Sequence, residues 1–490
     1  MKTLYLLLAL CSTAFGFTNK TPGIYQSGGS ASDTQAAINA AADGDTVTIP
    51  DGTWEWSHSC AIDGKSIHLK GQSKAGTIIK HNFVDMNSNW NALLYVRPST
   101  HAGHNIEVSD LTFQEGPAIQ GVGHHGLHYI QSERLLSWPD SGFSPNVSLV
   151  HDCLFQSHGN MDTHLIWVDN GGVLWNCTFE GSRSSDAAIS TKRSNLDTFM
   201  SPSTMGTLDT TGMANTYVED CAFNDTGPVN GCVDVDDGGR IVFRHCAIHG
   251  GMIGTHGADT SPYGFRHFEI YDCVFDRPSP DMLTWVSSRG ATFVIHDCQF
   301  APGLPRDVSL QIQGLRRKAT GANCATKYPV VRQIGQGWCG CPGSYSYPEA
   351  PHAGSGYILD PIYIWNSPMP SGMFLGPDYE PDECGNGLYT RDFVKKDRDY
   401  YLDTPKPGYT AYQYPHPLRA ALGGGGPTPT PTPTPGPTAT PNPSPSPTPP
   451  RPTPTPGPTA TPSPTPGATY QQWLNEESEW IRTHPPTPDK

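Results

Sequence analysis

Positive charge is what this chain has least of. Its 31 Lys and Arg residues stand against 46 Asp and Glu, a formal net charge of −15. That balance excludes nucleic acid and an anionic membrane as general partners. It leaves room for an acidic polysaccharide, because bound calcium bridges carboxylates on both sides. A membrane-spanning run is missing as well. The apolar stretch Leu4–Leu10 at the start is too short to cross a bilayer. Preceded by Lys2 and followed by Ala14-Phe15-Gly16, it reads as a signal peptide over residues 1–16. A lipoprotein reading through Cys11 is weaker, since Leu10 stands where a small residue is wanted. The protein is therefore expected outside the cell, secreted or held at its surface.

What the chain does have is a repeated phrase, Asp/Asn/His-Cys-x-Phe/Ile. It occurs at Cys153, Cys177, Cys221, Cys246, Cys273 and Cys298, in steps of 24, 44, 25, 27 and 25 residues. Four steps share one period, and the fifth is a period plus an insertion. A fixed period of strand-like units predicts an all-β solenoid, a parallel β-helix. Equivalent positions on neighbouring coils stack about 4.8 Å apart, so these six cysteines are expected as small core hydrophobes rather than bridges. Cys324, Cys339, Cys341 and Cys384 lie outside the repeat and read as two disulfides of unassigned connectivity, with zinc ligation as the rival.

In chain order, Asp33–Ala42 predicts a short helix capped by Ser32 or Asp33, which would cover the open end of the solenoid. Strands are expected at Thr46–Ile49, Ser66–Lys70, Thr77–Lys80, Ala92–Val96 and Ile106–Val108. The β-helix body spans 17–422. It is interrupted at about 124–146, where Leu127, Ile130, Leu135 and Trp138 suggest a helical insertion, and at 194–215. Beyond residue 300 the pattern loosens, with strands still legible at Tyr357–Leu359 and Ile362–Trp365. Residues 423–468 form a Pro/Thr/Gly-rich linker of polyproline II character. A short amphipathic helical tail follows over 469–490, with Tyr470, Trp473, Leu474, Trp480 and Ile481 on one face. Such a face asks for a protein or cell-surface partner; a frayed tail is the alternative.

The opening DTQAAINAAADGDTVTIPDGTW, the phrase KSIHLKG at Lys65–Gly71, Val108–Phe113 and the cysteine-bearing coils together resemble the pectate-lyase-like, right-handed parallel β-helix superfamily over about residues 33–300. The resemblance implies the fold. It leaves the activity open among lyases, hydrolases and adhesins. Gly231–Val235 is similar to the calcium-site coil of pectate lyases, which implies Asp234 as a calcium ligand. The arginine phrase of that family, Arg-x-Pro-x-x-Arg-x-Gly, has no compact counterpart here, only Arg277-Pro278 and Arg289-Gly290.

Coil register gives candidate site residues. Aligning Leu165, Ile189, Val233, Ile253 and Leu283 as one inward column sends Ile166, Ser190, Asp234, Gly254 and Thr284 outward. Val168, Lys192, Asp236, His256 and Val286 form the next outward column. Lys192, Arg193 and His256 are then the expected catalytic groups, with Asp234, Asp236 and Asp237 holding Ca²⁺. A solvated salt-bridge ladder is the equally weighted alternative. Paired carboxylates would suit a hydrolase instead. A second outward column runs His151, Trp175, Glu219, Arg244, Tyr271, His296. Glu219 and Arg244 are expected to pair, and Trp175, Tyr271 and Arg244 to contact a sugar chain, plain packing being the commoner role of such aromatics. His124, His125 and His128 read as a polar loop. The expected function is cleavage of an acidic polysaccharide by β-elimination. The alternatives are a non-catalytic surface protein for carbohydrate binding or adhesion, and a glycoside hydrolase.

Overall fold

The computed structural model describes residues 16–86, 91–99, 103–119, 127–132, 147–157, 164–169, 171–181, 187–192, 212, 215–225, 231–235, 239–255, 265, 267–277, 284–289, 292–310, 336–338, 357–376, 391 and 394–422. The chain divides into two compact units, Met1–Leu422 and Gly423–Lys490. The linker, the tail, the four cysteines beyond residue 300 and most of the 194–215 insertion lie outside the described residues.

Three long sheets make up the first unit. The first has thirteen strands, from Phe17–Thr21 to Tyr400–Leu402; the second nine, from Gly52–Trp56 to Gln299–Phe300; the third ten, from Cys60–Asp63 to Met373–Leu375. Successive strands visit the sheets in turn. His68–Gly71 lies in the first, Thr77–His81 in the second and Asn91–Arg97 in the third, and Ile106–Ser109 then returns to the first. Apart from Phe17–Thr21 against Ile24–Ser27, the pairings within these sheets are parallel. Each strand thus pairs with the strands one circuit away, an order consistent with a solenoid of three strands per turn.

The corner between the first and second sheets explains the repeated phrase. Asp110, Asp152, Asn176, Asp220, His245, Asp272, Asp297 and Asn366 all have φ between 47° and 58°. Non-glycine residues tolerate this left-handed conformation poorly, and Asn, Asp and His tolerate it best. The following cysteine points inward and is buried and unbridged at every coil. Its thiol donates to the carbonyl two residues back, as from Cys153 to His151 at 3.2 Å and from Cys298 to His296 at 3.4 Å. Leu111 takes the cysteine position one coil earlier, and Ser367 takes it one coil later, its hydroxyl donating to Trp365 O at 3.0 Å. Burial holds the thiols of Cys153, Cys221, Cys246 and Cys298 well above the usual range, so they stay protonated. Next to them Phe113, Phe155, Phe179 and Phe223 stack at 5.0, 5.0 and 4.8 Å.

Two elements differ from expectation. The helix is Ala31–Ala40, one short step earlier, because Ser30 is the cap and accepts from Asp33 N at 3.1 Å. Lys65 Nζ closes its other end on the carbonyls of Ile38, Asn39 and Ala41, and Ala31, Ala37 and Ile38 join the core. Leu127–Ser132, expected to be helical, is a buried strand between Asn91–Arg97 and His164–Asp169. The circuit needs a third strand there, and pairing on both sides overrides an apolar spacing that a short segment cannot resolve.

Candidate functional site

The third sheet carries the columns from which the site was inferred. Ile189, Val233 and Ile253 stack as expected, and so do Ser190, Asp234 and Gly254. On the flanking coils the register differs. Ile166, not Leu165, aligns with Ile189, and Val286, not Leu283, aligns with Ile253. A one-residue slip exchanges the two faces of a strand. The column of Lys192 therefore holds Asp169 on the preceding coil, where Val168 was expected. Ser287, not Thr284, continues the column of Asp234.

Gly231 fixes the strand that carries Asp234. Its φ is +62°, and Gly231 and Val233 both align with Ile253, which marks a bulge. A Cβ on Gly231 would sit 2.3 Å from Met252 N, so only glycine fits. Asp234 then lies buried on the column beside Ser190, an oxygen donor of the kind a hard cation takes. It belongs to no group of three ligand residues among those described. Arg193, Asp236, Asp237 and His256 lie outside the described residues, and of Lys192 the strand position alone is described.

Sequence reasoning missed the other end of the same columns. Through successive pairings, Tyr95 aligns with Gln131, Trp167, Ser190 and Asp234, and Arg97 follows Tyr95 by two residues as Lys192 follows Ser190. Tyr95, Arg97, Gln131, Ala61 and Asp63 line a shallow pocket of about 200 Å³. Arg97 Nη1 donates to Asp63 Oδ1 at 3.0 Å, both side chains being exposed. Part of the signal for this end was available, since the sequence predicts a strand over Ala92–Val96, which the structure extends to Asn91–Arg97; without a cysteine its coil had no ruler.

The second outward column has the expected register, His151, Trp175, Glu219, Arg244, Tyr271 and His296, and extends to Trp365. Glu219 and Arg244 pair, with Arg244 Nε donating to Oε1 at 3.0 Å. The column is not exposed, however. Trp175 and Tyr271 are 3% exposed and Arg244 is 0%. Residues 403–422 leave the last strand and run back across the face as a strap. Tyr412 and Leu418 pack on the patch formed by Trp175, Tyr217, Val242 and Tyr271. Arg244 donates to the carbonyls of Tyr412 and Gln413 at 2.8 Å, and Arg419 donates to Glu219 Oε2 at 3.1 Å. Trp175, Tyr271 and Arg244 accordingly present no surface to a sugar chain in this structure. The assignment assumed that an outward side chain of a sheet meets solvent, and the strap is what removes that.

No family model matches the chain, and no curated protein matches it. Among solved structures, an alginate lyase from Paenibacillus sp. str. FPU-7 is similar at a TM-score of 0.30 and 15% identity, over 57% of this chain and 95% of that one.

Proposed function

We propose that this chain is a secreted or cell-surface protein on a right-handed parallel β-helix that cleaves an acidic polysaccharide by β-elimination. The observation that supports the reading is the register of the third sheet, which pairs Asp169 with Lys192 and aligns Tyr95, Gln131, Ser190 and Asp234, with Arg97 two residues beyond Tyr95 on its strand. Coils about 4.8 Å apart put the strands of Arg97 and Lys192 roughly 14 Å apart across the sheet, a span of several coils suited to an extended chain. In the reaction, neutral Lys192 takes the C5 proton of a uronate. The C5–H electron pair becomes the C4=C5 double bond as the C4–O bond breaks, and the leaving oxygen takes a proton from solvent water. Arg97 pairs with the carboxylate of a neighbouring sugar, exchanging an exposed ion pair worth little by itself. Arg193 and His256 supply further cationic or basic groups. Calcium held by Asp234, Asp236 and Asp237 would neutralise the substrate carboxylate as the enolate develops. The Pro-rich stretch 423–468 is proposed as a spacer, and 469–490 as the element that meets a protein or cell-surface partner.

The test is a screen on polygalacturonate, alginate and related acidic glycans, following the absorbance of the unsaturated product with and without a chelator. Lys192→Ala should lower the rate at least about 100-fold. Silence on every acidic glycan, or full activity in Lys192→Ala, would sink the reading. The pocket of Tyr95, Arg97 and Gln131, set apart from Lys192, favours the second reading, glycan binding without cleavage. Binding without product, lost in Arg97→Ala, would identify it.

A further inference from the structure

His68, Glu107 and His151 come from three successive strands of the first sheet, far along it from the strand of His296 that Tyr409 meets. Glu107 Oε1 lies 3.1 Å from His68 Nε2 and 3.0 Å from His151 Nε2, and the three ligand atoms all lie within 4.8 Å of one another. The geometry points to a binding site for one zinc-class divalent metal ion, held by His68 Nε2, Glu107 Oε1 and His151 Nε2.

Ligand atoms around a tetrahedral zinc at about 2.0–2.1 Å stand about 3.3 Å apart, so the two separations from Glu107 Oε1 need to open by only a few tenths of an ångström, and the two imidazole nitrogens, within 4.8 Å of each other, need to stand at that same spacing. Two imidazoles and one carboxylate suit zinc and its transition-metal neighbours, and do not suit calcium, which takes oxygen. The three side chains are 12 to 20% exposed, which leaves a fourth position to water.

His151 is already oriented for this role. Its Nδ1 donates to Asp152 Oδ2 at 2.7 Å, which fixes the ring so that Nε2 faces Glu107 Oε1 at 3.0 Å; without metal Nε2 donates a proton there, and an ion would take that proton's place. Asp152 is a left-handed corner residue with φ +52°, and the His151 ring lies flat on Trp175, centroids 4.1 Å apart. His68 Nε2 also lies 2.8 Å from Ser109 Oγ, whose hydroxyl donates to Asp110 at 2.8 Å. His68 Nε2 therefore carries a proton without metal, and binding releases it to solvent.

The face contains an internal counterpart. His296 repeats the arrangement, with Nδ1 2.7 Å from Asp297 Oδ2 and its ring stacked on Trp365, and Glu269 lies nearby with His267 3.2 Å away. There the Tyr409 hydroxyl stands between imidazole and carboxylate, 3.2 Å from His296 Nε2 and 2.7 Å from Glu269 Oε2. In the uncovered group the carboxylate oxygen meets both imidazoles directly.

The test uses the full chain without a histidine tag, stripped with a chelator and titrated with Zn²⁺ alone and with Co²⁺ as a spectroscopic probe. One tight equivalent is expected. It should weaken at least about 100-fold in His68→Ala and in Glu107→Gln, and about 10-fold in Asp152→Asn. Zinc-edge absorption of the wild type should show two imidazoles, no sulfur and otherwise oxygen, a measurement that needs no variant to fold. No binding at micromolar Zn²⁺, binding unchanged in His68→Ala, or a sulfur ligand at the zinc edge would overturn the proposal.

Discussion

Two histidine–glutamate groups lie on the same outer face of the first sheet, one near each end of the strap's reach. In the group of His68, Glu107 and His151 the side chains are 20, 17 and 12% exposed. In the group of His267, Glu269 and His296 they are 2, 6 and 9% exposed. The sequence chemistry is alike, down to the His-Asp-Cys phrase and the aromatic ring stacked on the last histidine. What differs is the chain laid over the second group. A hydroxyl and a roof turn one carboxylate into a structural anchor; in the other group, among the described residues, imidazole nitrogens and a carboxylate oxygen lie within 4.8 Å of one another.

The largest effect should come from removing the latch that holds the roof down. Arg244→Ala leaves Glu219 buried with Arg419 and the His416 backbone N–H as partners, and should lower stability by about 3–5 kcal/mol in urea denaturation. It should also make residues 403–422 a protease-sensitive segment while leaving the zinc stoichiometry at one. A strap that stays resistant would mean that its apolar contacts hold it without the ion pair. Tyr409→Phe is more selective. It removes the hydroxyl shared by His296 and Glu269 and should lower stability by about 1–3 kcal/mol, measured in the same way. The zinc count should not rise, because burial still excludes the hydrated ion; two equivalents in this variant would show that the hydroxyl alone kept the metal out.

Mild acidification should have the smallest effect, and through His416 it acts on the covered half. Burial lowers the His416 pKa from 6.5 to about 4, against opposing attraction from Glu219. Between those values the unfolded chain binds a proton that the folded chain does not, so stability falls as pH drops from about 6.5 toward 4. Protonation would also remove the Nδ1 acceptor that caps Pro417–Ala421 through Leu418 N at 3.2 Å. The melting temperature should fall in that window, and His416→Gln should flatten the dependence. An equal slope in both proteins would assign the effect elsewhere.

The sequence made the cysteine-bearing coils legible because each carries the same tight corner, and equal corners keep strands in step. The Glu219–Arg244 pair and the column from His151 to His296 followed from that spacing alone. The third sheet was harder. The stretches leading into it vary in length, so a ruler anchored at Cys153 or Cys273 had slipped by one residue at Leu165 and by three at Leu283. The metal group was missed for a different reason. Glu107 aligns with His68 and Leu149, while His151 aligns with Ser109, so Glu107 and His151 meet on the diagonal. Reading down columns does not find diagonal neighbours. The strap was missed because Tyr409, Tyr412 and Tyr414 have no period, and what they meet lies 113 to 194 residues back.

The strap also decides how the body meets mechanical load. The chain continues past Leu422 not from the last strand, Tyr400–Leu402, but from a segment latched to Thr216–Glu219 and Arg240–Arg244. Tension arriving through residue 423 is therefore taken first by Arg419 and His416, and passes into interior strands bonded on both sides. The strand Tyr400–Leu402, last in the sheet among the described residues, is spared the pull. Stacked parallel strands loaded at the end of the sheet would separate one by one; loaded here, they must first break a buried ion pair.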